Sequence, residues 1–458
     1  MKNKSSSILD QLKNGIKNIH FIGIGGSGMF PLAQILQKKG YKISGSDVTE
    51  SYVIDLERKL GMDIVMTQKA ENIKGADLIV YSAAIMEDNP ELIAAKRSNS
   101  LLLERAELLG ALVGLKSKCV GVTGTHGKTT TTALITHILI ESDKDPSAII
   151  GGKLKSINGN AILGDSNVMI CEACEYADTF LKVFPTICVI LNVDEDHMEY
   201  FKTLNNVIQS YKNFCDNTSD TVIINGDDDN GMKVIQNSNK HIIKFGINKN
   251  NDFYLDNINF KGYENNKFDI FSAGKKISSM ILNIPGEHNA INALAAFIVC
   301  LELGCTIEEI EAGVKSFGGI GRRFEILGEY NGAVIADDYA HHPVELKATL
   351  KAASTMGFNR IWAIFQPFTF SRTFMLLDDF KEALSIADKV ILSPIMGSRE
   401  VNTHNIYSED LAKKIPGSIV INTFDEIASF IRKNVKTGDL VITLGCGDIY
   451  KCANKIIK

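Results

Sequence analysis

The sequence predicts an α/β protein built from three domains. Three observations carry that expectation. Short apolar, β-branched runs alternate with helical patterns along most of the chain. Glycine-rich loops join such a run to a helix at residues 23–28 and again at 121–129. The alternation then restarts after another glycine-rich stretch at 316–324, and 458 residues are too many for one ordinary core.

The first block, residues 1–115, contains the runs IKNIHFIGIG, YKISGSD and ADLIVYSAAI, the rhythm of a doubly wound, Rossmann-like sheet. The second block, 116–320, opens with CVGVTGTHGKTTTTALITHIL and continues through NVMICEAC, TICVILNV and DTVIING. Its segment Asn250–Met280 is more polar and alternating, which predicts antiparallel hairpins beside a parallel sheet of the P-loop ATPase kind. A helix from His288 to Leu303 follows a Pro-Gly turn. The third block, 321–458, repeats the βα rhythm in AVIADDYA, RIWAIFQP, KVILSPI and LVITLGCGD, and reads as a second Rossmann-like domain.

Composition narrows the function. The net charge is −5, which argues against a nucleic-acid partner. No stretch has the long uncharged apolar run of a membrane span. The apolar segments Leu101–Leu115 and Asn292–Cys305 carry Glu and read as buried helices. The N-terminal segment lacks the apolar core of a signal peptide, so a cytoplasmic location is expected. Nine Cys, an odd number, point to reduced thiols. Cys171 and Cys174 form a CxxC without a second pair and read as structural.

The strongest site is the loop from Gly121 to Thr129, with Gly121 and Gly127 read as its framing glycines. Glycines let the backbone N–H groups of Gly124, Thr125, His126 and Gly127 curl around phosphate oxygens, and the helix N-terminus behind them, including Thr130, favours anions. Lys128 would contact the β- and γ-phosphates, and the Thr129 hydroxyl would ligand magnesium. The loop implies a nucleotide but not a reaction. Glu172 and His197 each follow a strand on the same sheet edge and are placed to hold magnesium at the γ-phosphate. Glu175, Asp194 and Asp196 are nearby rivals for that task.

A second glycine loop, Gly23-Ile-Gly25-Gly26-Ser27-Gly28, also follows a strand, and Asp47 ends the next one. This is the outline of a dinucleotide fingerprint. A second nucleotide loop at 121–129 and the absence of a hydride-transfer set in the first block favour another diphosphate, of the UDP type. Ser82, at the end of ADLIVYSAAI, would face the same crevice, although an ordinary loop serine would look the same.

With these residues in hand, the chain resembles the Mur ligases over nearly its whole length. The resemblance rests on GIGGSGM at 23–29, GTHGKTTT at 124–131, EDHMEYF at 195–201 and PGEHNAINALAA at 285–296. It continues through GRRFE at 321–325, DDYAHHPVE at 337–345, QPFTFSRT at 366–373 and TLGCGDI at 443–449. It implies that the first domain holds UDP-N-acetylmuramate, the second ATP with Mg2+, and the third the incoming amino acid, L-alanine. The lactyl carboxylate would attack the γ-phosphate, and the amine would displace phosphate from the acyl phosphate. By the same resemblance Lys128, Glu172, His197, His341 and Arg372 carry the reaction. His288 and Asn292 contact the adenine side, Arg323 the phosphates and Asp338 the ribose or hinge. Tyr339, His341, His342 and Arg372 face the alanine and acyl phosphate. The expected assembly is a monomer or homodimer.

Four positions depart from the family pattern. Phe368-Thr369-Phe370 stands where His-Thr-Tyr or His-Arg-Tyr is usual, Cys174 where an Asp is common, and Cys446 where an Ala is usual. Three other functions compete: a sister ligase that attaches a preformed peptide to the same sugar nucleotide, an NAD-dependent dehydrogenase, and a non-enzymatic ATP-gated binding protein. The joint presence of Lys128, Glu172 and His197 counts against the last.

Overall fold

The apolar runs assemble into three sheets. The computed structural model describes residues 8–458 except Leu9, Lys13, Ser27, Ala83, Ala84, Lys261, Tyr263, Glu264 and Arg399. Five parallel strands form the first sheet: β1 (Asn18–Ile22), β2 (Lys42–Ser46), β3 (Asp63–Val65), β4 (Leu78–Tyr81) and β5 (Leu101–Glu104). Their order is β3-β2-β1-β4-β5, so the chain reverses direction between β1 and β4. A crevice for ligands opens at the carboxyl ends of two such strands.

The expectation of one buried helix over Leu101–Leu115 is corrected here. Leu101–Glu104 is strand β5, paired in parallel with β4, and the helix begins only at Arg105. The Glu104 backbone N–H donates to Glu107 Oε2 at 3.1 Å, so these acids cap the helix start instead of interrupting a longer helix.

The second sheet has ten strands: β6 (Lys118–Thr123), β7 (Ser147–Leu154), β8 (Gly159–Ile162), β9 (Val168–Glu172), β10 (Ile187–Ile190), β11 (Thr221–Asn225), β12 (His241–Gly246), β13 (Phe253–Asn259), β14 (Asn266–Ser272) and β15 (Lys275–Leu282). Their order is β15-β14-β13-β12-β11-β10-β6-β9-β7-β8. Strand β6 lies between β9 and β10, parallel to both. The expected strands at 250–280 are β13 to β15, at one edge. The other edge is an antiparallel pair, β7 with β8, that the apolar pattern did not announce.

The third sheet contains β16 (Glu325–Tyr330), β17 (Ala333–Asp338), β18 (Arg360–Phe365), β19 (Lys389–Leu392), β20 (Ile419–Val420) and β21 (Asp439–Leu444), in the order β16-β17-β21-β18-β19-β20. All its pairs are parallel except the edge strand β16, which runs against β17.

The chain packs as two compact units. One comprises Met1–Leu255, Ile270–Ser278 and Asn292–Gly313; the other comprises Asp256–Asp269, Ser279–Ile291 and Val314–Lys458. Within the first unit the first sheet and the start of the second share an apolar core, in which Leu108, Leu109 and Leu112 join Phe180, Val183 and Phe214. The helix Arg105–Val113 packs so closely on the segment Tyr176–Lys182 that a side chain at Gly110 would collide with the Lys182 carbonyl.

One acid is out of place in this packing. Glu57, on the helix Tyr52–Lys59, is fully buried, and neither of its carboxyl oxygens has a hydrogen-bond partner among the described residues. Burial, aided by the Asp47 charge, pushes its carboxyl up to about 8. This folded value lies above the ordinary 4.5, so the stability from protonated Glu57 is complete below about pH 4.5 and is lost as pH rises through about 8. Glu57→Gln removes that loss. Its melting temperature relative to the unsubstituted protein should therefore rise by at least about 2 °C between about pH 6 and pH 9. A constant difference across that range in a thermal melt would contradict the assignment.

Candidate functional site

Strand β6 ends at Thr123, and the chain turns through Gly124 and Gly127 into the helix Lys128–Glu141. Gly124 and Gly127 have φ of +141° and +86°. At Gly127 a Cβ would also sit 2.5 Å from Asn292 Oδ1, so conformation and space both require glycine. The reading of Gly121 as a loop glycine is corrected. Five residues separate it from Gly127, one more than a Walker-type loop allows. Gly121 lies inside β6, where its missing side chain makes room for Phe214 and Pro185. The loop itself is Gly124-Thr125-His126-Gly127.

The neighbouring strand holds this loop in shape. Thr125 and His126 donate their backbone N–H groups to the carbonyl and to Oδ1 of Asn192, at 3.1 and 2.8 Å. Asn192 returns its Nδ2 to the His126 carbonyl at 3.1 Å. The Asp194 N–H donates to Thr125 Oγ1 at 2.9 Å. Asn192 was missed in the sequence; its position two residues past β10 was the signal available.

Lys128 opens the helix. Its Nζ donates to the carbonyls of Gly124 (2.5 Å) and Thr125 (3.1 Å) and to Glu175 Oε1 (3.0 Å). Burial alone would lower this ammonium, but the carboxylates of Glu175 and Glu172 outweigh it and hold the group above its ordinary value. Thr129 is buried in the first turn, with Thr130 beside it.

Glu172 ends β9, and its Oε2 accepts the Gly151 N–H at 2.8 Å. His197 has φ +54° and precedes the short helix Met198–Phe201, with its ring 4.8 Å from that of Tyr176. The segments after β9 and β10 are further tied by the Tyr200 hydroxyl, which donates to Asp178 Oδ2 at 2.7 Å. That bond pushes the Tyr200 phenol up to about 12. Because β6, β9 and β10 are parallel, the loop, Glu172, Glu175 and His197 all leave the sheet at one edge. Among the described residues no three His, Cys, Asp or Glu side chains form a ready metal cage. All nine cysteines are free thiols.

In the first sheet, Gly25, Gly26 and Gly28 follow β1 and Ser82 follows β4, at the point where the strand order reverses. Ser27 lies outside the described residues. Asp47 faces inward: its Oδ2 accepts the Gly25 N–H at 3.0 Å and its Oδ1 those of Val48 and Thr49. Asp47 therefore braces the glycine loop. Arg105, also unread in the sequence, packs on this loop: a Cβ at Gly28 would lie 3.1 Å from its guanidinium.

The third sheet gathers residues at the ends of β17, β18 and β21. His341 Nδ1 lies 3.2 Å from the Tyr339 carbonyl, and its ring meets those of Tyr339 and Phe368 edge-on. Glu345 Oε2 accepts the backbone N–H groups of His341 and His342 at 3.1 and 3.4 Å. Arg323 lies over the Tyr339 ring, 5.3 Å from its centroid. Arg372 sits in the helix Phe370–Met375, after β18. Asp338 is buried and turned inward, accepting the Phe324 and Ala340 N–H groups, both at 2.7 Å. Burial pushes its carboxyl up to about 6. Of the arginine pair, Arg322 is the framework member: it bonds Asp337 and the Gly445 carbonyl at 2.9 and 2.6 Å and lies between the Tyr339 and Tyr450 rings. His288 and Asn292 fall one turn apart on the helix His288–Glu302, with the His288 ring against Gly286.

Family models match three consecutive segments of the chain. They are the Mur ligase family catalytic domain over residues 18–117, the Mur ligase middle domain over 122–300, and the Mur ligase glutamate ligase domain over 322–447. The chain belongs to the Mur ligase family. A curated relative, the UDP-N-acetylmuramate–L-alanine ligase of Clostridium tetani, is 43% identical over 449 residues, 97% of this chain and 98% of the relative. The enzyme of that name from Acetivibrio thermocellus is 42% identical over 459 residues, covering 99% and 97%. Among solved structures, the UDP-N-acetylmuramate–alanine ligase of Thermotoga maritima matches with a TM-score of 0.84 at 28% identity, over 97% of this chain and 98% of that one. A murein peptide ligase from Psychrobacter arcticus has the same fold, with a TM-score of 0.75 at 21% identity over 97% and 98%.

In this Mur ligase the turn at Gly127 is the sharpest test of the loop. Gly127→Ala must adopt a left-handed conformation costing roughly 1–2 kcal/mol and must displace Asn292. ADP affinity should fall at least about tenfold in calorimetric titration, with an unchanged circular dichroism spectrum. Undiminished affinity would remove the loop turn from nucleotide binding.

Proposed function

We propose that this protein is an ATP-dependent ligase that joins L-alanine to the lactyl carboxylate of UDP-N-acetylmuramate, giving ADP and phosphate, in peptidoglycan precursor synthesis. The observation that carries this reading is full-length similarity, above 40% identity, to relatives named for that reaction. It coincides with a phosphate loop, the strand-end acid Glu172 and His197 at one sheet edge.

The chemistry explains the residue types. A carboxylate resists attack by an amine because an oxide would have to leave. Transfer of the γ-phosphoryl group gives an acyl phosphate, from which phosphate departs after the amine adds. No protein nucleophile is needed, so the chain's work is charge neutralisation and alignment, worth roughly 7–11 kcal/mol when well organised. Lys128 and the N–H groups at the helix start would hold the phosphates, because those of Thr125 and His126 are engaged by Asn192 and shape the loop instead. The hydroxyl of Thr129 and the carboxylate of Glu172 suit Mg2+, which prefers oxygen and retains several waters; His197 would complete the set. Bound there, the metal would neutralise charge on the γ-phosphate. Gly25, Gly26, Gly28 and Ser82 would receive the UDP diphosphate, with Asp47 bracing their loop. In the third domain Arg372, whose fork can bind two oxygens, suits an α-carboxylate, and Tyr339, His341 and His342 would contact the alanine and acyl phosphate.

The test is phosphate release by purified protein with ATP, Mg2+ and UDP-N-acetylmuramate. Release should require both the sugar nucleotide and free L-alanine. Release with an L-alanyl-γ-D-glutamyl peptide but not with alanine would move the assignment to the peptide-attaching ligase. A pocket shaped for one methyl group separates alanine from glycine by about 1–3 kcal/mol, so kcat/KM for glycine should be roughly 10- to 200-fold lower. Equal values would contradict a methyl-sized pocket.

A further inference from the structure

Glu175 has no part in the reaction just described, yet it sits at the centre of the phosphate loop. It is buried, 2% exposed, and both its oxygens lie 3.0 Å from Lys128 Nζ. An ammonium group has three N–H donors, and here all three are engaged, by the Gly124 carbonyl, the Thr125 carbonyl and Glu175 Oε1. Glu175 Oε2 shares the ion pair but, among the described residues, receives no hydrogen bond of its own.

We propose that Glu175 is a positioning residue that competes with a phosphate oxygen for Lys128 and sets how strongly nucleotide binding depends on a divalent cation. The proposal rests on the nucleotide reading of the loop. A phosphate oxygen that binds Lys128 must replace one of its three acceptors. Two are backbone carbonyls fixed by the loop, so the carboxylate is the one that yields. Once displaced, Glu175 is a buried anion beside a polyanion, which costs free energy through lost pairing and repulsion. A divalent cation arriving with the nucleotide removes that cost; a metal-free nucleotide bears it in full. Glu172 cannot relieve it, being an acid itself and engaged with Gly151.

The test is calorimetric titration of the full chain with ADP, once with Mg2+ and once with EDTA. Glu175→Gln should bind metal-free ADP about tenfold tighter than the unsubstituted protein, and its ratio of Mg2+ to EDTA affinity should fall by a similar factor. Glu175→Asp retains the charge and should keep the original ratio. A variant that merely loosened the fold would bind ADP more weakly, so tighter binding is not a structural artefact. Equal or weaker metal-free binding by a folded Glu175→Gln would overturn the proposal. So would equal ADP affinities in Mg2+ and EDTA for the unsubstituted protein, a result that needs no variant. No ADP binding under any condition would instead defeat the nucleotide reading itself. Alanine-dependent phosphate release, measured on the same preparation, reports separately on the ligase reaction.

Discussion

Parallel pairing of β6 with β9 and β10 is the constraint on which the nucleotide end of this protein depends. The ladders run to the last residues of the strands: Ala173 donates to the Val122 carbonyl at 2.8 Å, and Leu191 to the Thr123 carbonyl at 3.1 Å. Three chain segments therefore leave the sheet side by side. One becomes the glycine loop, one carries Glu172 and Glu175, and one carries Asn192 and His197. A slip of one residue between β6 and β9 would turn Glu172, the last residue of β9, to the opposite face. The site's geometry thus starts from backbone pairing, and side chains such as Asn192 then hold the loop in shape.

Two partly buried cations are held in contrasting ways. Arg322 is enclosed by permanent partners, namely Asp337, the Gly445 carbonyl and two aromatic faces, and so staples the start of β16 to the final glycine turn. Lys128 has two fixed carbonyl partners and one side-chain partner. The first arrangement suits framework; the second leaves one place for exchange. The adjacent Arg323 lies over the Tyr339 face with Glu345 at 3.9 Å.

Much of this was legible in the sequence. The three-sheet α/β organisation followed from alternating apolar runs, and both glycine loops announced themselves by lying between a strand and a helix. What escaped was whatever depended on partners distant in the chain. Leu101–Glu104 reads as helix by composition but forms a strand because β4 offers it a parallel edge. Gly121 resembles a loop glycine until Phe214 and Pro185 are seen to fill its space. Asp47 and Asp338 look like ligand-facing acids at strand ends, yet their oxygens serve backbone N–H groups of their own loops. Asn192 and Arg105 carry no motif, and only the fold brings them to the two glycine loops. Local pattern specifies elements; which strand end meets which is a non-local property that single residues do not display.

The close seam between the helix Arg105–Val113 and the segment Tyr176–Lys182 bears on how separable the domains are. That segment begins one residue after Glu175 and includes two non-glycine residues with left-handed backbone, Ala177 and Asp178. Its Phe180 is buried in the core shared with Leu108 and Leu112. The first sheet therefore supplies part of the wall against which the lysine-holding loop is set. Chimaeras that exchange the N-terminal domain among relatives at the apparent boundary near residue 115 would cut through this core. Such an exchange would have to carry matching residues at 176–183 and at Phe214, so the first domain is not separable along the linear chain.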